Sequence, residues 1–275
     1  MANSIKVVHV DDVPIERMQQ KEGWAISEFR LPVSGADGSR TTVFHSIFRA
    51  GSTHNKHLHT DCEEIAVYLS GHGVVGQSDS RAVVTAGHCR MMPRGSAHFF
   101  HNETKDADAV VIGFYMGAGS VPETGYQLAG MVDQSDLDMP RNGLDEGILV
   151  TLQETPVSDL AGCAAWADAE VRQPIGSHNG SHNGSDNALV SAELGAGKSI
   201  GAYRLDGCEQ LYFVTEGSGT ASSSGTDTEI RAGHFIFVPA GADLSIRNGG
   251  TGALSFIGVL TGAGSLAEGG YSEAA

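Results

Sequence analysis

The chain has 275 residues and a formal charge of -16, with 17 Lys+Arg against 33 Asp+Glu. That acidity argues against a nucleic-acid backbone or an anionic membrane surface as partner, and no apolar run approaches the roughly 18 residues of a spanning helix. Four scattered cysteines (Cys62, Cys89, Cys163, Cys208) supply neither a disulfide scaffold nor a C-x-x-C zinc site. The opening residues lack the basic start and long apolar centre of a secretory signal, so the expected setting is the reducing cytoplasm.

In chain order, "IERMQQKEGWAISEF" (15–29) suggests a short helix or turn at best. Strand after strand then follows: "TTVFHSIFRA" (41–50), "EEIAVYLSG" (63–71), "RAVVTAG" (81–87), "HCRMMPRG" (88–95), "AHFFHN" (97–102) and "AVVIGFYMG" (109–117). Each is short, rich in β-branched or aromatic residues and bounded by turn formers. The acidic, turn-rich segment 131–146 reads as a linker. Beyond it, "SDLAGCAAWADAEV" (158–171) has the strongest helical propensity in the chain. Strands resume with "ALVSAEL" (188–194), "EQLYFVTEG" (209–217), "HFIFVPAG" (234–241), "ADLSIRN" (242–248) and "ALSFIGVL" (253–260).

The two series are copies of one another. At an offset of 142, Pro14, Trp24, Glu28, Arg30 and Pro32 meet Pro156, Trp166, Glu170, Arg172 and Pro174. At 146, Gly51, Cys62, Glu63, Gly71, Gly87, Pro93, Gly95 and Asn102 meet Gly197, Cys208, Glu209, Gly217, Gly233, Pro239, Gly241 and Asn248. At 145, "GAGSVPETGY" (117–126) meets "GAGSLAEGGY" (262–271). The jump from 142 to 146 has its source in "SHNGSHNGSDN" (177–187), a tandem four-residue unit. It reads as a solvated loop whose His178 and His182 would hold a metal only weakly. The expected domains are therefore 1–130 and 147–275 on either side of the linker.

Chemistry is concentrated in the first copy. His57 and His59, two apart on a strand, share a face. Glu64 follows across a short turn, and His98 comes after the turn shaped by Pro93 and Gly95. Three imidazoles and one carboxylate make an N3O set for a divalent transition metal such as Fe(II), Mn(II), Ni(II), Co(II) or Cu(II), with positions left for substrate and O2.

The framework around these residues resembles the cupin superfamily. Gly51, His57, His59, Glu64 and Gly71 fill the first cupin motif, G-x5-H-x-H-x4-E-x6-G. Gly87, Pro93, Gly95, His98 and Asn102 fill the second, G-x5-P-x-G-x2-H-x3-N. The resemblance covers both halves and implies an all-β bicupin, two tandem double-stranded β-helix (jelly-roll) barrels. It implies His57, His59, Glu64 and His98 as ligands of one metal per chain, Fe(II) or Mn(II) foremost and Zn(II) also admissible. Its x4 spacing favours Glu64 over the neighbouring Glu63, and the repeat agrees, because Glu63 recurs as Glu209 in the copy that lacks the ligand histidines. There Tyr203, Leu205, Gln210 and Leu244 occupy the ligand positions. The second barrel is expected to fold without binding metal and to serve packing or homodimerisation.

Strand alternation places Ala66 and Tyr68 on the Glu64 face, and Phe100 and Asn102 on the His98 face. Tyr68, His45 and His101 are the candidates for catalytic or supporting roles, with His54, Lys56 and Arg90 also close to the motifs as bases or carboxylate clamps. The leading functional reading, supported by the resemblance to flavonol-type enzymes, is a dioxygenase acting with O2 on a small enolic, phenolic or hydroxy-acid substrate. Its alternative uses the metal as a Lewis acid for isomerisation, lyase chemistry or decarboxylation. Oxalate decarboxylases are similar bicupins, but they typically keep ligands in both barrels. A third reading is a non-catalytic, pirin-like binding protein.

Overall fold

The structure is a computed structural model that describes residues 4–16, 26–177 and 187–274. Trp24, His178 and His182, with most of the two segments that carry them, lie outside the described residues. The chain forms two compact units, one of Pro14–Ala36 and Arg40–Gln153, the other of Met1–Val13, Asp37–Ser39 and Glu154–Ala275. Both are almost entirely antiparallel β.

In the first unit a six-stranded sheet runs in the order Ile148–Thr151, His88–Met92, Glu63–Ser70, Ala109–Met116, Thr42–Phe48, Ile26–Val33. A five-stranded sheet runs Tyr126–Gly130, Thr53–His59, His98–Asn102, His72–Gln77, Ser80–Thr85. Their inner faces share one core, in which Phe44, Ala66, Tyr68, Met92 and Tyr115 from the first sheet meet Val75, Val84 and Phe100 from the second. Strand Glu63–Ser70 reads as a nearly unbroken apolar run because it is buried on both faces, with Ile65 and Val67 on one and Ala66 and Tyr68 on the other.

The second unit repeats this plan. Its sheets run Lys6–His9, His234–Val238, Glu209–Glu216, Leu254–Thr261, Asn187–Leu194, Ala169–Ile175 and Thr226–Arg231, Ser218–Ser223, Asp243–Asn248, Ser199–Leu205, Tyr271–Glu273. The scaffold residues that recur in sequence recur in role. Asn102 Nδ2 donates to the carbonyls of Phe48, Arg49 and Ala107, and Asn248 Nδ2 to those of Leu194, Gly195 and Gly252. Gly95 and Gly241 sit at φ +73° and +76°, a region costly for any residue with a Cβ. Their amides each bond at 2.8 Å to the end of the preceding ligand-position strand, at His59 and Leu205.

Three features differ from the sequence reading. The expected helix in 158–171 is a single 3-10 turn, Ala164–Trp166, followed directly by strand Ala169–Ile175. Fully buried Trp166 and pairing of that strand with Asn187–Leu194 override local propensity. Segment 131–146 is packed rather than slack. Its short helix Gln134–Leu137 carries a capping box, and buried Asp136 bonds Arg81 at 2.6 Å and Lys56 at 2.7 Å. The compact units also end elsewhere than 130 and 147, because Ile148–Thr151 pairs with His88–Met91 and Lys6–His9 with His234–Phe237. Among the described residues no helix is long and apolar enough to cross a membrane.

Candidate metal centre

His57 and His59 lie at the end of strand Thr53–His59, with His98 paired directly opposite His57 and Glu64 facing them from the other sheet. One ligand atom from each of the four falls within 4.8 Å of the other three, and all four residues are buried. His57 Nδ1 is held 2.8 Å from the Asn55 carbonyl and His98 Nδ1 2.9 Å from the Ser96 carbonyl. As donors to those carbonyls, both rings turn Nε2 toward the centre.

Glu64 Oε2 is 3.1 Å from His59 Nε2 and 3.4 Å from His98 Nε2, yet none of these three buried atoms has a partner in hydrogen-bond geometry. Polar atoms stripped of water and aimed at one point without bonding each other are an arrangement that a cation satisfies. Burial also holds the His57 and His98 imidazoles below their usual pKa, with neighbouring imidazoles pushing the same way, so both are neutral donors near pH 7. Burial alone would raise Glu64, but His59 and His98 outweigh it and keep the carboxyl well below its ordinary range. Neutral imidazoles with one carboxylate suit a divalent transition metal.

The centre opens into a small cavity, a chamber of about 40 Å³. Tyr68 lines it, as alternation predicts, and so does Phe100. Asn102, placed on the same face, serves the turn described above. His45 and His101 are not among the lining residues. His45 is set opposite Arg30 and Ile112, one position out of phase with Phe44 and Ser46, while half-buried His101 bonds Thr53 Oγ1 at 2.7 Å.

Three further residues belong to the site. His54 is three residues before His57, which strict alternation puts on opposite faces. A bulge between them restores the common face, with ring centroids 4.2 Å apart, and burial lowers the His54 pKa to about 3. Arg90, only 1% exposed, lines the chamber and donates to Gly76 O at 2.7 Å and Gln77 Oε1 at 3.0 Å. It forms no salt bridge among the described residues, and its Nε has no hydrogen-bond partner there. Tyr126, from the strand paired with the ligand strand, stacks on His57 at 5.3 Å and 27°. The repeat carries the signal for Tyr126, since its twin Tyr271 stacks on Tyr203, the residue at the His57 position, at 6.0 Å and 18°.

In the second barrel the equivalent space is filled. Tyr203, Leu205, Gln210 and Leu244 are fully buried, and Gln210 Oε1 accepts from Tyr203 OH at 2.6 Å and Tyr212 OH at 2.9 Å.

Comparison with known proteins agrees with this architecture. Residues 21–132 match the family described as Cupin. The oxalate-binding protein of Thermotoga maritima is 32% identical over 68 residues, which cover 25% of this chain and 56% of that protein. The chain thus spans little more than half of that curated relative. Oxalate decarboxylase from Bacillus subtilis superposes with a TM-score of 0.71 at 12% identity, over 97% of this chain and 78% of that one. The formate complex of Lactobacillus farciminis oxalate decarboxylase gives 0.70 at 13% identity, over 97% and 88%. At such identities the superpositions speak for the fold.

Proposed function

We propose, from the match of residues 21–132 to the cupin family, that the first barrel is a divalent-metal enzyme that decarboxylates or otherwise cleaves a small carboxylate without O2 as oxidant. The observation that carries this is Arg90, a buried guanidinium with no salt-bridge partner among the described residues, facing the same chamber as His57, Glu64 and His98. A divalent ion and a guanidinium against one carboxylate leave the chamber cationic, which suits an anionic substrate. The relatives support the choice of reaction, since two of them are oxalate decarboxylases and a third binds oxalate. Mn(II) centres are described for the Bacillus subtilis enzyme, which favours Mn(II) over Fe(II) in the set expected from sequence.

Bound at His57, His59, Glu64 and His98, the ion would supply Lewis acidity toward the substrate carboxylate. The chain's own residues do the rest. Arg90 pairs with the anion and fixes its orientation. Loss of CO2 leaves an electron pair on the former α carbon, which must take up a proton. The Tyr68 hydroxyl, kept protonated by burial and facing the chamber, is the donor we assign. Phe29, Phe44, Phe48 and Phe100, which also line the cavity, limit the water that could compete for that carbon.

The leading expectation from sequence, a dioxygenase, shares this ligand set. The deciding experiment follows CO2 release and O2 consumption together, on Mn(II)-loaded protein with a panel of carboxylates, flavonols and diketones. We expect CO2 without O2 uptake. Turnover that consumes O2 in proportion to product returns the reaction to the oxygenase class.

A further inference from the structure

Segment 131–146 is bonded at both of its ends to residues that orient the candidate metal ligands. At its start the Val132 amide donates to Asn55 Oδ1 at 2.7 Å, and the Asn55 carbonyl holds His57 Nδ1 at 2.8 Å. At its end Glu146 Oε2 accepts from Ser96 Oγ at 2.7 Å, and the Ser96 carbonyl holds His98 Nδ1 at 2.9 Å. The two residues that aim these imidazoles are thus two that grip the segment.

A second line of bonds meets at Ser96. Arg90 Nη2 donates to Gln77 Oε1 at 3.0 Å, Gln77 Nε2 donates to Ser96 Oγ at 3.0 Å, and Ser96 Oγ donates on to Glu146. A guanidinium only donates and a carboxylate only accepts, so the two ends fix the direction of every bond between them. Hydrogen bonds polarised in one direction strengthen one another. Arg90, Gln77 and Ser96 are buried, and exposed Glu146 is the end that meets water. Closing the barrel does not require this chain. At the offset of 146 the second copy has Gly201, Ser223, Ile236 and Ala242 where Asn55, Gln77, Arg90 and Ser96 stand, although the turn residue Asn102 persists as Asn248.

We propose that Glu146 is a positioning residue of the metal centre, acting through Ser96 on the His98 ring and through Ser96 and Gln77 on the Arg90 guanidinium. This rests on the reading of His57, His59, Glu64 and His98 as ligands and, for Arg90, on the carboxylate reading. Glu146 is neither one of the clustered ligands nor part of the cavity lining. Without it the Ser96 hydroxyl loses its acceptor, and the amide that seats Arg90 loses a fixed partner. Small misplacements are costly where a bound anion must meet a fixed group.

The test compares wild type with Glu146→Ala, Glu146→Gln and Asp145→Ala in three measurements that need no turnover. They are Mn(II) affinity by competitive titration, the paramagnetic resonance spectrum of bound Mn(II), and calorimetric acetate affinity of the Mn(II)-loaded protein. Glu146→Ala should weaken Mn(II) about tenfold, the low end of the range for support around a ligand, and change the spectrum. It should weaken acetate about three- to tenfold, the worth of one ordinary hydrogen bond. Glu146→Gln keeps an acceptor for Ser96 and should retain most of both affinities. Asp145→Ala removes a neighbouring exposed charge and should match wild type. Ser96→Ala combined with Glu146→Ala should bind acetate no more weakly than Ser96→Ala alone, because both cut one chain. Additive losses, or equal losses in Glu146→Gln and Glu146→Ala, would make Glu146 a distant charge and overturn its positioning role. A Glu146→Ala protein with wild-type Mn(II) affinity, spectrum and acetate affinity overturns it too, whatever its melting temperature. If wild type binds Mn(II) but not acetate, the carboxylate reading and the Arg90 arm fall, and the Mn(II) titration still decides the His98 arm. If wild type binds no Mn(II), the metal centre falls, and this inference with it.

Discussion

Tyr126 covers His57: the phenol ring lies 5.3 Å from the imidazole with planes 27° apart, and its strand pairs with the strand that carries both first-motif histidines. Rings packed this way fix the orientation of a ligand whose Nδ1 is already tied to the Asn55 carbonyl. Tyr126→Ala should weaken Mn(II) binding about 10- to 100-fold, the range seen when support around a metal ligand is removed. Tyr126→Phe keeps the ring and should retain most of the affinity. Competitive titration against a chromophoric chelator measures both, and equal losses in the two variants would contradict a stacking role.

Adjacent glutamates should differ completely. Glu64→Gln removes the carboxylate that faces His59 and His98, and metal content by elemental analysis should fall from about one per chain to near zero. Glu63→Gln should keep its metal.

Gln210 offers a test of how the second barrel replaces coordination with packing. Its Oε1 receives two buried tyrosine hydroxyls, and Gln210→Ala leaves both without that acceptor. Each stranded hydroxyl costs about 1–3 kcal/mol, so chemical denaturation should show a loss of roughly 2–6 kcal/mol. The metal content of the chain should be unchanged.

Asp136 predicts an acid-sensitive contact. Burial would raise its pKa, but Lys56 and Arg81 together with the Asp133 amide hold it below the ordinary 3.8. A carboxyl depressed in the folded state stabilises the fold above its unfolded pKa and loses that contribution as pH falls through the folded one. Asp136→Asn should therefore destabilise at pH 7 by about 3–5 kcal/mol, because it leaves Arg81 buried against a neutral side chain. It should also flatten the stability curve below about pH 4 relative to wild type. Thermal or urea melts across pH would show this, and parallel curves for the two proteins would contradict it.

The four clustered candidates for metal ligation were legible because each motif is local. His57 and His59 lie on one strand, Glu64 opens the next, and a glycine turn fixes where His98 begins. What escaped depends on partners distant in sequence. His54 is misplaced by simple alternation because a bulge adds one residue before His57. The same irregularity recurs between Ile200 and Tyr203, so it belongs to the scaffold. Asn102 looked like a lining residue by parity, although its persistence as Asn248 in the copy without ligands already marked it as structural. Tyr126 reaches the site through strand pairing across about 70 residues of chain. The near-helical 158–171 segment shows the same limit, since only the burial of Trp166 and the pairing of the following strand reveal why it extends.

The strand pairings at the two ends change what kind of duplication this is. The unit that carries the metal ligands is a nearly continuous stretch, Pro14–Ala36 and Arg40–Gln153, whereas the other is assembled from Met1–Val13, Asp37–Ser39 and Glu154–Ala275. In connectivity the unit with the histidine cluster is therefore an insert. The chain passes through the other unit first, leaves it, returns for three residues, leaves again and then returns to it. Both ends of the insert continue into a folded unit, which restricts the ensemble it can reach on opening. The unit without the histidine cluster is thus joined to both ends of the unit that has it.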